Sequence, residues 1–318
     1  MQDLILHHYP TSPFAEKVRL ILGYKNLSWR SVVVPMVMPK PDVVALTGGY
    51  RKTPILQIGA DIYCDTALIA DVLEHLAPAP TLYPEAHKGL ARVLAQWADT
   101  ALFWAAMGYN FSPKGTAQMF GGSPDAPPEQ WGAVAKVFAE DRNKMRSGMP
   151  RVSPGDAAAS YKSYLRRIAN MLEGQAFVTG SAPCIADFAL YHPLWFTRTR
   201  TSVMASILDA TPGVLAWMDR MAAIGHASFT PMTAIEAIAE AQGGALASVE
   251  KESFFDEHGI ALGSVVTVAG ESFGPEPTEG ILVAATRTRY TLRRTDERAG
   301  TVQVHFPRVG YVLKKAAP

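Results

Sequence analysis

The first 78 residues alternate between short apolar runs and segments with helical spacing. In the first helical segment, Phe14, Val18 and Ile21 recur on one face, as in an amphipathic helix. Three prolines between residues 35 and 41 predict an irregular connection instead. The whole pattern predicts strands over 4–6, 29–34, 53–58 and 61–64, and helices over 13–24 and 66–76.

This order of elements is that of a thioredoxin-like domain, in which helices cover both faces of a mixed sheet, and we assign it to residues 1–80. A linker begins at Pro78. Residues 87–242 then show no convincing strand pattern, so we expect an all-helical domain there. The helices are predicted over 88–107, 129–146, 156–173, 184–198, 213–224 and 232–242.

The composition changes again at Gly243-Gly244. Residues 247–318 are rich in Val, Thr and Arg, and they predict a small antiparallel, barrel-like β extension. Its strands are predicted over 264–269, 281–293 and 301–306. The predicted fold class is therefore α/β plus all-α, followed by this β-rich extension.

Composition and charge exclude several classes of protein. The chain has 318 residues, 48% of them hydrophobic and 19% charged, with a net charge of +1. That is ordinary globular composition, without the basic excess of a nucleic-acid-binding protein. We see no signal peptide and no apolar run long enough to span a bilayer, so we expect a cytoplasmic protein. Cys64 and Cys184 are expected to be buried free thiols.

The first candidate site lies where the first predicted strand gives way to a helix. Ser12 is a good N-cap and Pro13 suits the first helical position. A hydroxyl at a helix N-terminus can stabilise the thiolate of a bound thiol and so lower its pKa. The alternative interpretation is that Ser12 only caps the helix.

Two further segments have features of a peptide-binding site. Pro54 follows a turn and can be cis, and Thr53 before it could then pair with the main chain of a peptide. Asp65 and Thr66 precede a helix, where they could hold the ammonium and carboxylate of an amino-acid head group. An edge-strand proline and simple helix capping are the alternative interpretations.

Taken together and in this order, these residues resemble the glutathione transferase superfamily. Ser12-Pro13-Phe14 is similar to the tau-class active-site segment, and to the omega-class segment with Ser in place of Cys. Thr53-Pro54 resembles the family's cis-proline, and Asp65-Thr66 its Glu-Ser pair. The resemblance covers residues 1 to about 240 and leaves the extension unexplained.

The resemblance implies a role for each of these residues. Ser12 would hydrogen-bond the glutathione thiolate, with Tyr9 as an alternative donor. Thr53, with Pro54, would bind the cysteinyl main chain, and Asp65 and Thr66 the γ-glutamyl group. Lys40 would bind the glycyl carboxylate, a role for which Lys52 competes. Asp187 fits the family's capping motif in the helical domain, although Cys184 replaces the expected Ser or Thr.

The resemblance also implies glutathione as co-substrate, no metal, a homodimer and a part in detoxification. Thr11 to Phe14 replaces any Cys-x-x-Cys motif, so dithiol redox chemistry is excluded. Trp97 and Trp104 lie seven residues apart on one predicted helix face, and they could line a cleft for an apolar electrophile or simply pack in the core. The sequence does not identify the electrophile or the reaction type.

The extension is locally basic. Residues 287–315 carry a net charge of +6, against −5 for the rest of the chain. We expect this surface to be solvated or to pack against the remainder of the protein rather than to bind nucleic acid. The predicted function is a glutathione transferase acting on a small hydrophobic electrophile. The alternative is a non-catalytic scaffold that uses the extension as its binding surface.

Overall fold

The computed structural model describes residues 2–249, 253–255 and 257–316. The N-terminal domain has the predicted mixed sheet, ordered β4-β3-β1-β2, in which β3 is antiparallel to its neighbours and β1 and β2 are parallel. Its elements are β1 Ile5–His8, α1 Pro13–Tyr24, β2 Trp29–Val33, α2 Pro41–Thr47, β3 Ile55–Ile58, β4 Asp61–Cys64 and α3 Thr66–Leu76. The thioredoxin-like prediction is confirmed.

Helix α2 was not predicted from the sequence. Pro41 occupies its first turn, where a proline is tolerated because that N–H has no intrahelical partner. Gly48 ends the helix in the left-handed conformation, with φ of +83°. The three prolines thus mark an irregular segment only up to residue 40.

The middle of the chain is helical, as predicted. Its helices are α4 Lys88–Trp97, α5 Phe103–Asn110, α6 Pro113–Gly121, α7 Pro128–Met145, α8 Pro154–Met171, α9 Ile185–Trp195, α10 Pro212–Ala222 and α11 Ala234–Gly243. A π-helical segment, Ala98–Leu102, joins α4 to α5. Three elements here were not predicted from the sequence: helix α6, the 3₁₀ helix Ser202–Leu208, and the three-residue strand β5, Phe229–Pro231, which pairs in parallel with β2.

The extension continues the N-terminal sheet. Its strands are β6 Val265–Gly270, β7 Thr278–Ala285, β8 Arg289–Asp296, β9 Gly300–Pro307 and β10 Tyr311–Lys315. Strand β9 pairs in parallel with β4, which gives one ten-stranded sheet ordered β10-β6-β7-β8-β9-β4-β3-β1-β2-β5. Neighbouring strands within the extension pair antiparallel, as predicted, and β10 and β5 lie at the two ends of the strand order.

Hydrophobic cores lie on both faces of this sheet. On one face, α1 and α3 pack with the helical domain. On the other, α2, α11 and the extension strands share a second core. Because both faces are covered, His7 and His8 are both buried, although alternation along a strand predicts one histidine on each face and one of them towards solvent.

Buried polar contacts fix β9 to β4. The Asp61 carboxylate accepts hydrogen bonds from the backbone N–H of Ala247 at 2.7 Å and from the Gln303 amide at 3.3 Å. It also lies 2.7 Å from Nε2 of His305, whose Nδ1 is 2.9 Å from the Thr291 hydroxyl. The side chains of Asp61, Thr291, Gln303 and His305 are almost inaccessible to water, so the junction is part of the folded core rather than a hinge.

Candidate functional site

The three predicted site segments lie at one end of the sheet. In register, His7 of β1 is opposite Ile55 of β3, and Ile55 is opposite Cys64 of β4. Ser12 follows β1, Thr53 precedes the antiparallel β3, and Asp65 follows β4. Neighbouring strands are about 4.8 Å apart, so the three segments share a span of about 10 Å, the length of an extended tripeptide.

Ser12 is the N-cap of α1. Its Oγ accepts a hydrogen bond from the backbone N–H of Ala15 at 3.2 Å, which leaves the hydroxyl proton available to a second partner. The residue is only 1% exposed, so any group that meets this hydroxyl must enter the cleft. Capping and thiolate stabilisation are therefore compatible uses of one side chain.

Tyr9 lies at the start of the same loop. Its carbonyl oxygen accepts a hydrogen bond from the Ser12 N–H at 3.1 Å, and its hydroxyl accepts one from Arg142 of α7 at 3.4 Å. The Tyr9 ring also lies 5.8 Å from the Lys40 ammonium. The phenol is thus already engaged by the helical domain.

The Thr53–Pro54 peptide bond is cis, as predicted. Lys40 is 4% exposed and donates to the Thr53 hydroxyl at 3.1 Å and to the Arg51 carbonyl at 3.2 Å. Burial, reinforced by the charge of Arg142, lowers the pKa of Lys40 to about 8. The structure therefore brings Lys40 directly to Thr53, although the two residues are distant in sequence.

Asp65 is held in an unusual backbone conformation. Its φ is +77°, a region that non-glycine residues adopt at a cost of about 1–3 kcal/mol and that is frequent at functional sites. Its Oδ1 caps α3 by accepting from the Ala67 N–H at 2.9 Å, and its own N–H donates to the Tyr50 hydroxyl at 3.1 Å. The half-buried carboxylate is thus fixed in place before any ligand binds.

Thr66 belongs to a buried polar network that the sequence analysis missed. Its hydroxyl accepts a hydrogen bond from Lys17 at 3.1 Å, and Lys17 pairs with Asp99 at 2.5 Å. Asp99 lies in the π-helical segment and also contacts Nε2 of His192 at 3.0 Å. Burial opposes ionisation of Asp99, but Lys17 and His192 together hold its pKa below the ordinary value. The network links Thr66 to the helical domain.

Lys52 lies on the Asp65 side of the site. Its ammonium is 5.3 Å from the centre of the Tyr50 ring and 4.7 Å from that of Tyr311, in strand β10. Burial lowers the pKa of Lys52, and the charge of Asp65 is the largest influence in the opposite direction. The extension therefore reaches the site, which the sequence analysis had no pattern to detect.

The aromatic residues proposed for an electrophile cleft do not share one environment. Trp104 packs edge-on against Phe273 of the extension, with ring centres 4.9 Å apart. Trp97 packs instead against Tyr164 of α8. Tyr109 and Phe111, which follow Trp104 along the chain, pack against Tyr161 and against Phe138 and Phe196, respectively. Trp104 thus has a ring contact with the extension.

The cysteines and Asp187 have structural environments. Both Cys64 and Cys184 are free and buried, and burial raises the pKa of the Cys184 thiol to about 11. Asp187 accepts from the N–H groups of Cys184 and Val178 and from the Trp217 indole, which completes the predicted capping box. These contacts account for all three side chains without a catalytic role.

The described residues contain neither a cluster of metal-ligating side chains nor a membrane-spanning helix. Within that part of the chain, no three or more His, Cys, Asp or Glu side chains gather as metal ligands would. No helix there is long and apolar enough to cross a membrane.

Comparison with known proteins identifies the family. The glutathione S-transferase N-terminal domain family matches residues 6–81, and the corresponding C-terminal domain family matches residues 135–220. A glutathione S-transferase-like protein from Pseudomonas syringae, solved by crystallography, is 40% identical with a TM-score of 0.82. That match covers 99% of this chain and all of the Pseudomonas chain. This chain belongs to the glutathione S-transferase superfamily.

More distant solved structures share the fold. A tau-class glutathione S-transferase from mango is 16% identical, with a TM-score of 0.51 over 70% of this chain and 89% of its own. The beta-etherase LigF from Sphingobium is 18% identical, with a TM-score of 0.51 over 69% and 95%. The Pseudomonas match, unlike these, includes the extension, which lies outside both family-domain ranges. No curated protein matches the chain.

Proposed function

We propose that this protein is a glutathione transferase that binds reduced glutathione at the carboxyl end of β1 and activates its thiol for attack on an apolar electrophile. The observation that carries the proposal is the gathering of Ser12, Thr53 and Asp65 within the span of one extended tripeptide. Family membership supports a transferase-type function, and the geometry suggests which residues perform it.

In the proposed complex, each end of glutathione meets groups of suitable charge. The γ-glutamyl ammonium would pair with Asp65, and its carboxylate with Thr66 and the first N–H groups of α3. The cysteinyl main chain would meet Thr53. The glycyl carboxylate would bind Lys40, which contacts Thr53, because the competing Lys52 lies on the Asp65 side of the site.

The proposed chemical role of Ser12 is stabilisation of the thiolate. A free thiol has a pKa of about 8.5 and is mostly protonated at neutral pH. A hydrogen bond from the Ser12 hydroxyl and the positive end of the α1 dipole both favour the ionised sulfur. The thiolate then attacks the electrophile that the cleft holds against it.

Replacing Ser12 by alanine tests this role. We expect Ser12→Ala to lower kcat about 10- to 100-fold at neutral pH, because a hydrogen bond to a charged group contributes about 1.5–3 kcal/mol. The Kd for glutathione should change little, and the pKa of the bound thiol, followed by thiolate absorbance, should rise.

Controls separate capping from catalysis. Ser153 caps α8 in the same way, by accepting from the Asp156 N–H at 3.1 Å, but its cap is exposed at the surface. Ser153→Ala should cost similar capping stability and leave kcat unchanged. Tyr9→Phe should keep turnover within about twofold. Unchanged turnover in Ser12→Ala, or a large loss in Tyr9→Phe, would transfer the role to Tyr9.

The co-substrate is proposed to be small and apolar, because Trp104 and Phe273 contribute aromatic surface at the cleft. Conjugation, peroxide reduction, dehalogenation and isomerisation all use a bound glutathione thiolate, so a screen of electrophiles is needed to choose among them. A cytoplasmic, homodimeric detoxification enzyme is the proposed context.

The scaffold hypothesis is not retained. It used the extension as its binding surface, but two cations of the extension contact the N-terminal domain. Arg294 donates to the Ala45 carbonyl at 2.5 Å, and Arg298 pairs with Asp42 at 2.6 Å. These contacts support the expectation that the basic surface packs against the rest of the chain.

A further inference from the structure

One connection in the extension contacts both the N-terminal and the helical domain. We name residues 271–277, which join β6 to β7, the strap. The Gly274 N–H donates to the Met145 carbonyl of α7 at 2.8 Å, and Phe273 packs on Trp104. From the same segment, Glu276 pairs with Arg51 at 2.8 Å. The strap therefore contacts the helical domain and the glutathione side of the cleft at once.

The fit between the strap and Lys52 is close. A Cβ placed on Gly274 would lie 3.0 Å from Cγ of Lys52 and 3.2 Å from Cε of Met145. Gly274 also has a φ of +69°, which disfavours any side chain there. Glycine at this position thus allows the strap to lie directly against Lys52.

The neighbouring strand β10 reaches Asp65 itself. The Tyr311 hydroxyl donates to Oδ2 of Asp65 at 3.0 Å, while Oδ1 caps α3. Burial, together with the adjacent Asp65 charge, raises the pKa of Tyr311 well above its ordinary value. The phenol therefore keeps its proton and acts as a donor to the carboxylate throughout the physiological pH range.

We infer that Tyr311 is a positioning residue for glutathione, and that the extension completes the γ-glutamyl pocket from within the same chain. Each Asp65 oxygen is oriented by one fixed donor, which leaves further lone pairs for the ligand ammonium. The Tyr311 ring meanwhile holds the Lys52 ammonium beside this pocket. The inference rests on the proposed function, because it concerns the same glutathione site.

The experiment compares two ligands on one variant. Tyr311→Phe keeps the packed ring and removes only the hydroxyl. We expect its Kd for reduced glutathione, measured by calorimetry, to rise about tenfold, since hydrogen bonds to charged groups are among the stronger ones. Glutaryl-cysteinyl-glycine keeps the carboxylate of the γ-glutamyl group and lacks only the ammonium that would pair with Asp65. The variant and the wild type should bind this analogue equally.

A matched control is available in the same extension. Tyr290 is buried in β8, and its ring contacts Arg308 and His258 rather than the site. Tyr290→Phe should leave both dissociation constants unchanged. In steady-state assays, Tyr311→Phe should raise KM for glutathione and leave kcat within about twofold, whereas general loosening of the fold would affect both ligands.

The outcomes separate this inference from the proposed function. If the wild type binds glutathione and Tyr311→Phe binds it equally or more tightly, the positioning role is wrong and the transferase proposal stands. If the folded wild type binds no glutathione, both are wrong.

A measurement on the wild type covers the case in which the variant does not fold. Glutathione should slow amide exchange at Glu271 and Gly274, whose N–H groups bond to Gly310 and Met145. The analogue without the ammonium should slow it less, and equal exchange with and without glutathione would overturn the inference.

Discussion

At the scale of single residues, the site depends on charges and hydroxyls that already have partners. Ser12 caps α1, Lys40 donates to Thr53, and Asp65 caps α3. A polar group held in this way has lost its rotamer freedom before the ligand arrives, so less conformational entropy is lost on binding. This is why capping and ligand binding, posed as alternatives for each residue, are compatible in the folded chain.

The buried histidines predict how stability depends on pH. Burial lowers the pKa of His7 to about 4 and that of His8 to about 3. The unfolded chain takes up these protons near pH 6.5, whereas the folded chain stays neutral. The contribution of these neutral histidines to the free energy of unfolding is therefore complete above pH 6.5 and decreases as the pH falls toward 4.

Denaturant titration at several pH values checks this expectation. Each histidine should reduce the free energy of unfolding by about 2 kcal/mol between pH 7 and pH 5, from 1.36 kcal/mol per pKa unit. His7→Gln should flatten the curve by about that amount relative to the wild type. His87→Gln, at the exposed N-terminus of α4, should leave the slope unchanged. Parallel curves for wild type and His7→Gln would refute the assignment.

At the scale of elements, the junction of β4 with β9 decides where the extension lies. Asp61 accepts from Ala247 and Gln303 and contacts His305, and the side chains of Asp61, Gln303 and His305 are buried. Because these polar side chains are buried together, each depends on the others for its hydrogen bonds.

Asp61→Ala should therefore destabilise the protein by at least about 3 kcal/mol, because buried donors lose their acceptor at about 1–3 kcal/mol each. Urea unfolding gives the measurement, and Asp125→Ala, at an exposed position in the loop before α7, serves as the control. We expect a single transition in both variants. A variant that lost the extension in a separate, earlier transition would show that β9 is only loosely attached.

At the scale of the whole molecule, the family fold and its extension form one body. Strand β4 is an interior strand, and the sheet ends at β10 and β5. Lysines in β10 and the proline in β5 discourage further strand pairing at these edges. Any homodimer would therefore form through other surfaces, and sedimentation of the purified protein tests whether it forms.

Truncation tests whether the two family domains can fold without the extension. A chain ending at Gly244 keeps both family domains but exposes the edge of β4 and part of the second core, including Ile62 and Tyr50. We expect it to aggregate, or to melt more than about 10 °C below the full chain. A truncated chain ending at Ala316 is the control and should behave like the wild type. A soluble, equally stable chain ending at Gly244 would show that the extension is dispensable for folding.

The sequence by itself determined the local structure and the motif order. Periodicity identified the strands and helices of the N-terminal domain, most helices of the second domain, and the β character of the extension. It missed α2, α6, β5 and β10, and it merged β7 and β8 into one strand, because short elements and tight turns carry little periodic signal. The order Ser12, Thr53-Pro54, Asp65-Thr66 carried the family resemblance.

Only the tertiary structure decided what surrounds those motifs. The contacts of Asp65 with Tyr311, of Thr66 with Lys17 and of Trp104 with Phe273 join residues far apart in sequence. Periodicity reports which face of an element is buried, but not which distant element covers it. The position of the extension depended on the pairing of β9 with β4, a non-local contact that is fixed only when the whole sheet has formed.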